Sequence, residues 1–328
     1  MSYSRFIPLA GAANPHIQTL LPRLIRHKPD FDFFWQRLEL PDGDFVDLAW
    51  TEDPQQAKGK PRLVIFHGLE GSAYSPYAHG LLSVCRRQNW LGVVMHFRSC
   101  SGEPNRNQRI YHSGETEDAR YFLNWLPAHL GHHVPTIAVG YSLGGNMLGY
   151  YLGQEEHHAP LDGAVIVSAP LMLEPSSHRL EHGFSRFYQA YLLAELKKTA
   201  LRKLEKYPGS LPVSADEIRS LKKISEFDEV ITAPIHHFQD ASDYYQRCSA
   251  KPLIHKIRKP LLIIHALDDP FMAPEVLLDP HALPQNIEYQ LTEHGGHVGF
   301  VSGTWREPVM WLEERIAQWA APLLSQQQ

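Results

Sequence analysis

Five strand-length apolar runs, separated by segments of helical periodicity, constrain this chain more than any other feature. They are Leu63-Val64-Ile65-Phe66, Leu91-Gly92-Val93-Val94-Met95-His96-Phe97, Thr136-Ile137-Ala138-Val139, Ala164-Val165-Ile166-Val167 and Leu261-Leu262-Ile263-Ile264. Each is apolar at successive positions, so both of its faces must be covered. That is the pattern of a buried parallel sheet, not of a half-solvated antiparallel one. Between the runs lie helical stretches, His79–Arg87 and Glu115–Leu130. In the second, Ala119, Phe122, Leu123 and Leu126 share one face. Strands alternating with helices predict right-handed βαβ units and an α/β fold, its mainly parallel central sheet flanked by helices.

The ends and the middle depart from this alternation. Arg37–Leu40 and Phe45–Trp50 flank an Asp42-Gly43 turn and predict an N-terminal antiparallel hairpin. Residues 1–34 read as an irregular arm packed on the domain. From 171 to 255 no long apolar strand occurs. Phe184, Phe187, Tyr188, Tyr191, Leu192 and Leu196 fall at helical spacing, and Ser214-Ala215-Asp216-Glu217 forms a capping box. This segment reads as a mostly helical cap inserted over the sheet's C-terminal edge, dividing the core into 1–170 and 256–328. Its aromatic face reads first as packing, with the lining of a lipid groove as the alternative. After the insertion come strand 261–265, a last strand over Ile287–Leu291, and a closing helix. Pro308 lies near the start of that helix, and Val309, Leu312, Ile316 and Trp319 lie on its buried face.

Composition removes several function classes. The 328 residues carry a formal net charge of −5 and show no basic stripe of the kind that binds nucleic acid. Cys85, Cys100 and Cys248 are too few and too far apart for a disulfide framework and fit a reducing compartment. No run reaches the roughly 18 apolar residues of a membrane span, and the N-terminus lacks a signal-peptide pattern. A cytoplasmic protein is expected. Histidine is abundant, with 20 residues, but pairs such as His132-His133, His157-His158 and His236-His237 are adjacent and do not share a face. With no His-Glu-x-x-His and no Cys-x-x-Cys, they read as solvated surface residues; neither a metal nor a cofactor is expected.

The chemistry concentrates at Gly140-Tyr141-Ser142-Leu143-Gly144. A Gly-x-Ser-x-Gly run between a buried strand and a helix start is the form of a nucleophilic serine on a sharp turn. A serine at neutral pH needs a base, and the base needs an orienting carboxylate, in the chain order Ser, acid, His. Strand 261–265 ends in Asp268-Asp269-Pro270, and the next strand ends in Glu293-His294-Gly295-Gly296-His297. Both strand ends lie where open α/β sheets gather their functional groups. Asp269 is the favoured acid and Asp268 the alternative; His297, behind two glycines, is favoured over His294. The oxyanion hole requires two backbone N–H groups, expected from Leu143 and from Leu69 in the loop after the first buried parallel strand. Cys100 has no strand–turn–helix around it and reads as structural. The arrangement implies cleavage of carboxylic esters through an acyl-enzyme. An acyltransferase would use the same residues, and a non-catalytic binding protein on the same fold would be expected to lose one of them.

Taken together, these motifs resemble the α/β-hydrolase superfamily and, within it, the AB-hydrolase 4 family. The resemblance rests on Asn14-Pro15-His16-Ile17-Gln18-Thr19, Phe66–Ser72, His96-Phe97-Arg98, Ser101–Asn105, Tyr111–Asp118, Gly140–Asn146, Ala266–Phe271 and Glu293–Phe300. It implies a triad of Ser142, Asp269 and His297 acting on small ester or acylglycerol-type, lipid-like substrates. One departure is Ser99, where relatives tend to carry glycine.

Overall fold

The computed structural model describes residues 6–26 and 31–325. Eight strands form one mixed sheet in the order β1-β2-β4-β3-β5-β6-β7-β8. They are β1 (Phe34–Glu39), β2 (Phe45–Trp50), β3 (Arg62–Phe66), β4 (Leu91–Met95), β5 (Thr136–Tyr141), β6 (Gly163–Val167), β7 (Leu261–Ala266) and β8 (Ile287–Thr292). The first two form the expected hairpin, with Leu38 opposite Val46, and β2 runs antiparallel to β4. All remaining pairings are parallel.

Period-two alternation divides the core between the two faces. On β3, Leu63 and Ile65 join one apolar cluster, and Val64 and Phe66 join the other. Helices Pro76–Arg87 and Trp311–Leu324 cover the first face through Leu81, Leu82, Leu312 and Ile316. Helices Glu117–Leu130 and Leu143–Glu155 cover the second through Phe122, Leu123, Met147 and Leu152. A fully buried Leu or Phe side chain contributes roughly 1.5–3 kcal/mol, so these stripes hold the helices in place.

The chain leaves β3 toward β4 on one side and returns to β5 on the other. The reversal opens a crevice at the C-terminal ends of β3 and β5, the switch point where ligands bind in open α/β sheets. Between β6 and β7 the described residues form helices and no strand, beginning with Leu173–Leu180 and the long Ser185–Lys206.

Two expectations require correction. Within the described part of the N-terminal arm, Pro15–Ile25 is a helix, capped by Asn14, whose side chain accepts from the N–H groups of His16 and Ile17. At the other end, Pro308–Met310 is a short strand paired with Val301–Gly303, and the closing helix begins at Trp311. Val309 therefore lies in that strand, and Trp319 is only partly buried. The pairing supplies backbone partners before the helix starts, which helical spacing alone does not reveal.

Candidate active site

Ser142 stands between β5 and helix Leu143–Glu155 with φ +50° and ψ −119°, a backbone conformation that L-residues rarely adopt. The turn closes because its neighbours have no side chains. A Cβ on Gly140 would strike the Gly144 carbonyl, and one on Gly144 would strike the carbonyls of Phe66 and His67. The Ser142 N–H donates to Val167 O at 2.9 Å, and the Ser142 carbonyl accepts from Gly145 and Asn146. The helix thus starts directly after the serine, with the positive end of its dipole at the side chain.

The loops after β7 and β8 bring Asp269 and His297 to the serine. His297 Nε2 lies 2.9 Å from Ser142 Oγ, and His297 Nδ1 lies 2.9 Å from Asp269 Oδ2 and 3.2 Å from Oδ1. The Asp269 side chain is 1% exposed and that of His297 10%. Phe271 stacks on the imidazole at 3.9 Å between ring centroids, and its N–H donates to Asp269 Oδ1. Asp268 turns the other way. It accepts from Gly296 N–H at 2.9 Å and meets the more exposed His294 at 3.2 Å. Of the two pairs left open by the sequence, Asp269 and His297 face Ser142, whereas Asp268 and His294 brace the loop between them.

The loop after β3 lies against the serine; a Cβ on Gly68 would sit 3.3 Å from that of Ser142. Its N–H groups are pinned on either side of Leu69. Gly68 donates to the Tyr77 hydroxyl at 2.8 Å and Glu70 to the Tyr111 hydroxyl at 2.9 Å. Leu69 N–H has no hydrogen-bond partner among the described residues. Leu143 is the first helical residue, so its N–H has no intrahelical acceptor. Two buried histidines fix the loop from beneath. His67 Nδ1–H donates to Gly68 O while Nε2 accepts from Phe97 N–H, and His96 Nε2 accepts from Ala73 N–H. Burial lowers His67 to about 3 and His96 to about 4, so both are neutral at pH 7.

One support was not found by reading the motifs singly. The His297 N–H donates to Thr19 Oγ1 at 2.9 Å, and Thr19 in turn donates to Pro15 O. Gln18, fully buried, donates to Ala12 O and Val301 O and accepts from Val301 N–H. Helix Pro15–Ile25 therefore braces the base-bearing loop, in which Val298 is held at φ +57°. The signal was Asn14-Pro15, an N-cap followed by proline in the first turn.

Above the serine is a cavity of about 920 Å³, walled mainly by apolar side chains. Phe184, Phe187, Tyr188 and Tyr191 all line it, so the aromatic face of helix Ser185–Lys206 borders this space instead of serving packing alone. Glu70 lines it too. Tyr111 and Thr199 donate to its carboxylate at 2.7 and 2.5 Å, and burial raises its pKa. Cys100 packs beside the core, and burial raises its thiol well above the usual range, consistent with a structural role.

The expectation of solvated histidines is corrected at His236. Its ring packs on His112 at 4.3 Å between centroids, and with Glu115 the two offer ligand atoms within 4.8 Å of one another. Arg109 already donates to Glu115 at 2.9 Å, and that positive charge beside two imidazoles disfavours a further cation. Ser99, at the position where the family resemblance leads one to expect glycine, has φ +70°, a conformation that favours glycine. Here its hydroxyl donates to Asn105 Oδ1 at 2.8 Å and accepts from Asn105 N–H at 3.0 Å, offsetting the strain.

A doubly covered α/β sheet with a strained serine elbow, a base and an acid at successive strand ends defines the hydrolase class of α/β proteins. Residues 61–304 match the family model described as alpha/beta hydrolase fold, and the chain belongs to that family. It is 61% identical over 323 residues to "Putative esterase YheT" of Escherichia coli (strain K12), covering 98% of this chain and 95% of that protein. It is 26% identical over 319 residues to the human protein named phospholipase ABHD3, covering 94% of this chain and 76% of that one. Among solved structures, an esterase of Pyrococcus furiosus superposes with a TM-score of 0.56 at 13% identity, covering 89% of this chain and 93% of that one. No helix among the described residues is long and apolar enough to cross a membrane.

Proposed function

We propose that this protein is a serine esterase that cleaves carboxylic esters with an apolar acyl or alcohol part, through Ser142, His297 and Asp269. One observation carries the reading. A continuous chain of contacts at 2.9 Å runs from Ser142 Oγ through the imidazole of His297 to the buried carboxylate of Asp269, beneath a largely apolar cavity. His297 Nε2 takes the Ser142 proton as Oγ attacks the ester carbonyl. The negative charge that develops on the carbonyl oxygen is met by the N–H groups of Leu69 and Leu143. His297 returns the proton to the departing alcohol, leaving an acyl group on Ser142. Water, activated by the same imidazole, then releases the acid. Asp269 keeps the Nδ1 proton in place and stabilises the imidazolium. Residues 171–255 act as a cap whose helices shape the acyl pocket. The similarity to "Putative esterase YheT" and to a yeast protein named monoacylglycerol lipase supports this class of substrate.

The test is a chain-length series of p-nitrophenyl esters assayed with native protein and with Ser142→Ala, alongside labelling by a fluorophosphonate. Hydrolysis and labelling should both vanish in the variant. Hydrolysis that persists undiminished in Ser142→Ala would refute the mechanism.

A further inference from the structure

The wall of the cavity that belongs to the helical insertion is not uniformly apolar. Ser176, Ser177, Thr232, Tyr244, Tyr245 and Asp228 meet there. Asp228 opens a π-helical stretch, Asp228–Thr232, in which the Ala233 N–H reaches back to the Asp228 carbonyl. Such stretches interrupt the ordinary helical ladder at a cost and occur frequently at functional sites. The Tyr245 hydroxyl donates to Asp228 Oδ2 at 2.7 Å and the Thr232 hydroxyl to Oδ1 at 2.7 Å; Ser177 Oγ lies 3.3 Å from the Tyr245 oxygen.

A carboxylate can accept about four hydrogen bonds, and here two are used, one on each oxygen. No lysine, arginine or histidine pairs with Asp228 among the described residues. Asp228 is partly buried, and holding a carboxylate out of bulk water without a counter-charge is costly. This one lies on the wall of the cavity that opens onto Ser142, so a missing partner can arrive with whatever enters. Burial pushes the Asp228 carboxyl up to about 6, which still leaves it mostly an anionic acceptor at neutral pH.

We propose that Asp228, with the hydroxyls of Thr232 and Tyr245, is a recognition subsite for the hydrogen-bond-donating end, a hydroxyl or an ammonium, of an otherwise apolar ester. The subsite rests on the esterase reading, because its ligand is the substrate of Ser142. It narrows the substrate class from any apolar ester to one with a polar donor remote from the scissile bond.

Two matched ester series test this. One varies the acyl tail of p-nitrophenyl esters between a terminal methyl, hydroxyl and ammonium; the other makes the same changes on the alcohol side of acetates. In one series the native protein should prefer a donor tail over methyl by roughly tenfold in kcat/KM, about the worth of one charged hydrogen bond. Preference for hydroxyl over ammonium, or the reverse, identifies the donor. Asp228→Leu and Asp228→Ala, which remove the acceptor, should bring the donor and methyl tails to parity, with thermal unfolding confirming that each variant is folded; Asp228→Asn, whose amide oxygen still accepts but carries no charge, should weaken a preference for ammonium more than one for hydroxyl. If Asp228→Leu does not fold, Asp228→Ala decides. A methyl preference in both series, or a donor preference that survives in folded Asp228→Leu or Asp228→Ala, would overturn the subsite while leaving Ser142-dependent hydrolysis intact. Absence of any Ser142-dependent turnover would overturn the esterase reading and the subsite with it.

Discussion

The adjacent carboxylates Asp268 and Asp269 offer the sharpest test of the site, because identical chemical changes one residue apart should have unlike effects. In Asp269→Asn the shape is kept and the charge is lost. The imidazolium formed at His297 during attack on substrate then loses an anion 2.9 Å from Nδ1. At an effective dielectric constant of about 20, a unit charge pair at that distance interacts by about 5.7 kcal/mol. Each 1.36 kcal/mol is tenfold in rate, so the loss should be roughly 10⁴-fold in kcat. The amide also favours the wrong imidazole tautomer, since its NH₂ cannot accept the Nδ1 proton. Asp268→Asn removes a charge that faces Gly296 N–H and the half-exposed His294. An amide oxygen can still accept from Gly296, so the cost should be about 1 kcal/mol of stability and less than tenfold in kcat. The assay is steady-state hydrolysis of a p-nitrophenyl ester at pH 8, with urea unfolding of both variants. If Asp268→Asn loses more activity than Asp269→Asn, or if both keep more than a tenth of it, the assignment of the acid is wrong.

Two further outcomes follow from contacts around the site. Thr19→Val leaves the His297 N–H without its acceptor; kcat should fall about tenfold with KM little changed, Thr19→Ser should restore it, and urea unfolding should show a loss of about 1–3 kcal/mol. Asp228 has its carboxyl raised from 3.8 to about 6 in the folded protein, so between those values the folded state holds a proton that the unfolded chain has released. Stability should therefore fall as pH rises through that window, and urea unfolding from pH 3.5 to 7 should show Asp228→Asn lacking this component of the fall.

Where burial was written in apolar residues, the fold was legible. The runs at Leu63, Leu91, Thr136, Ala164 and Leu261 became five adjacent strands of the sheet because hydrophobic continuity itself dictates coverage on both faces. The elbow, the loop after the first parallel strand and the loops bearing Asp269 and His297 were also readable, since each lies at the end of such a strand. The N-terminal helix was hidden for a physical reason. Its apolar residues Ile17, Leu20 and Leu24 are exposed, while polar Gln18 is fully buried as a hydrogen-bond bridge. A reading based on hydrophobic periodicity assigns the faces the other way round. Asp228 was silent as well, because a single acid in a polar helical segment has no distinguishing pattern until the chain folds Tyr245 and Thr232 around it. His236 was misread for the same reason: adjacency to His237 says nothing about a partner at His112, more than a hundred residues earlier.

The Thr19 brace joins residues 278 positions apart, and Ser142 and His297 are separated by 155. Such contacts close long stretches of chain, at an entropic cost that rises with their length. On the proposed mechanism, the strained serine turn can form with its neighbouring strands and still lack its full reactivity, because one contact that steadies the His297 loop comes from Thr19, near the other end of the chain. Full nucleophilicity, on that mechanism, belongs to the finished assembly.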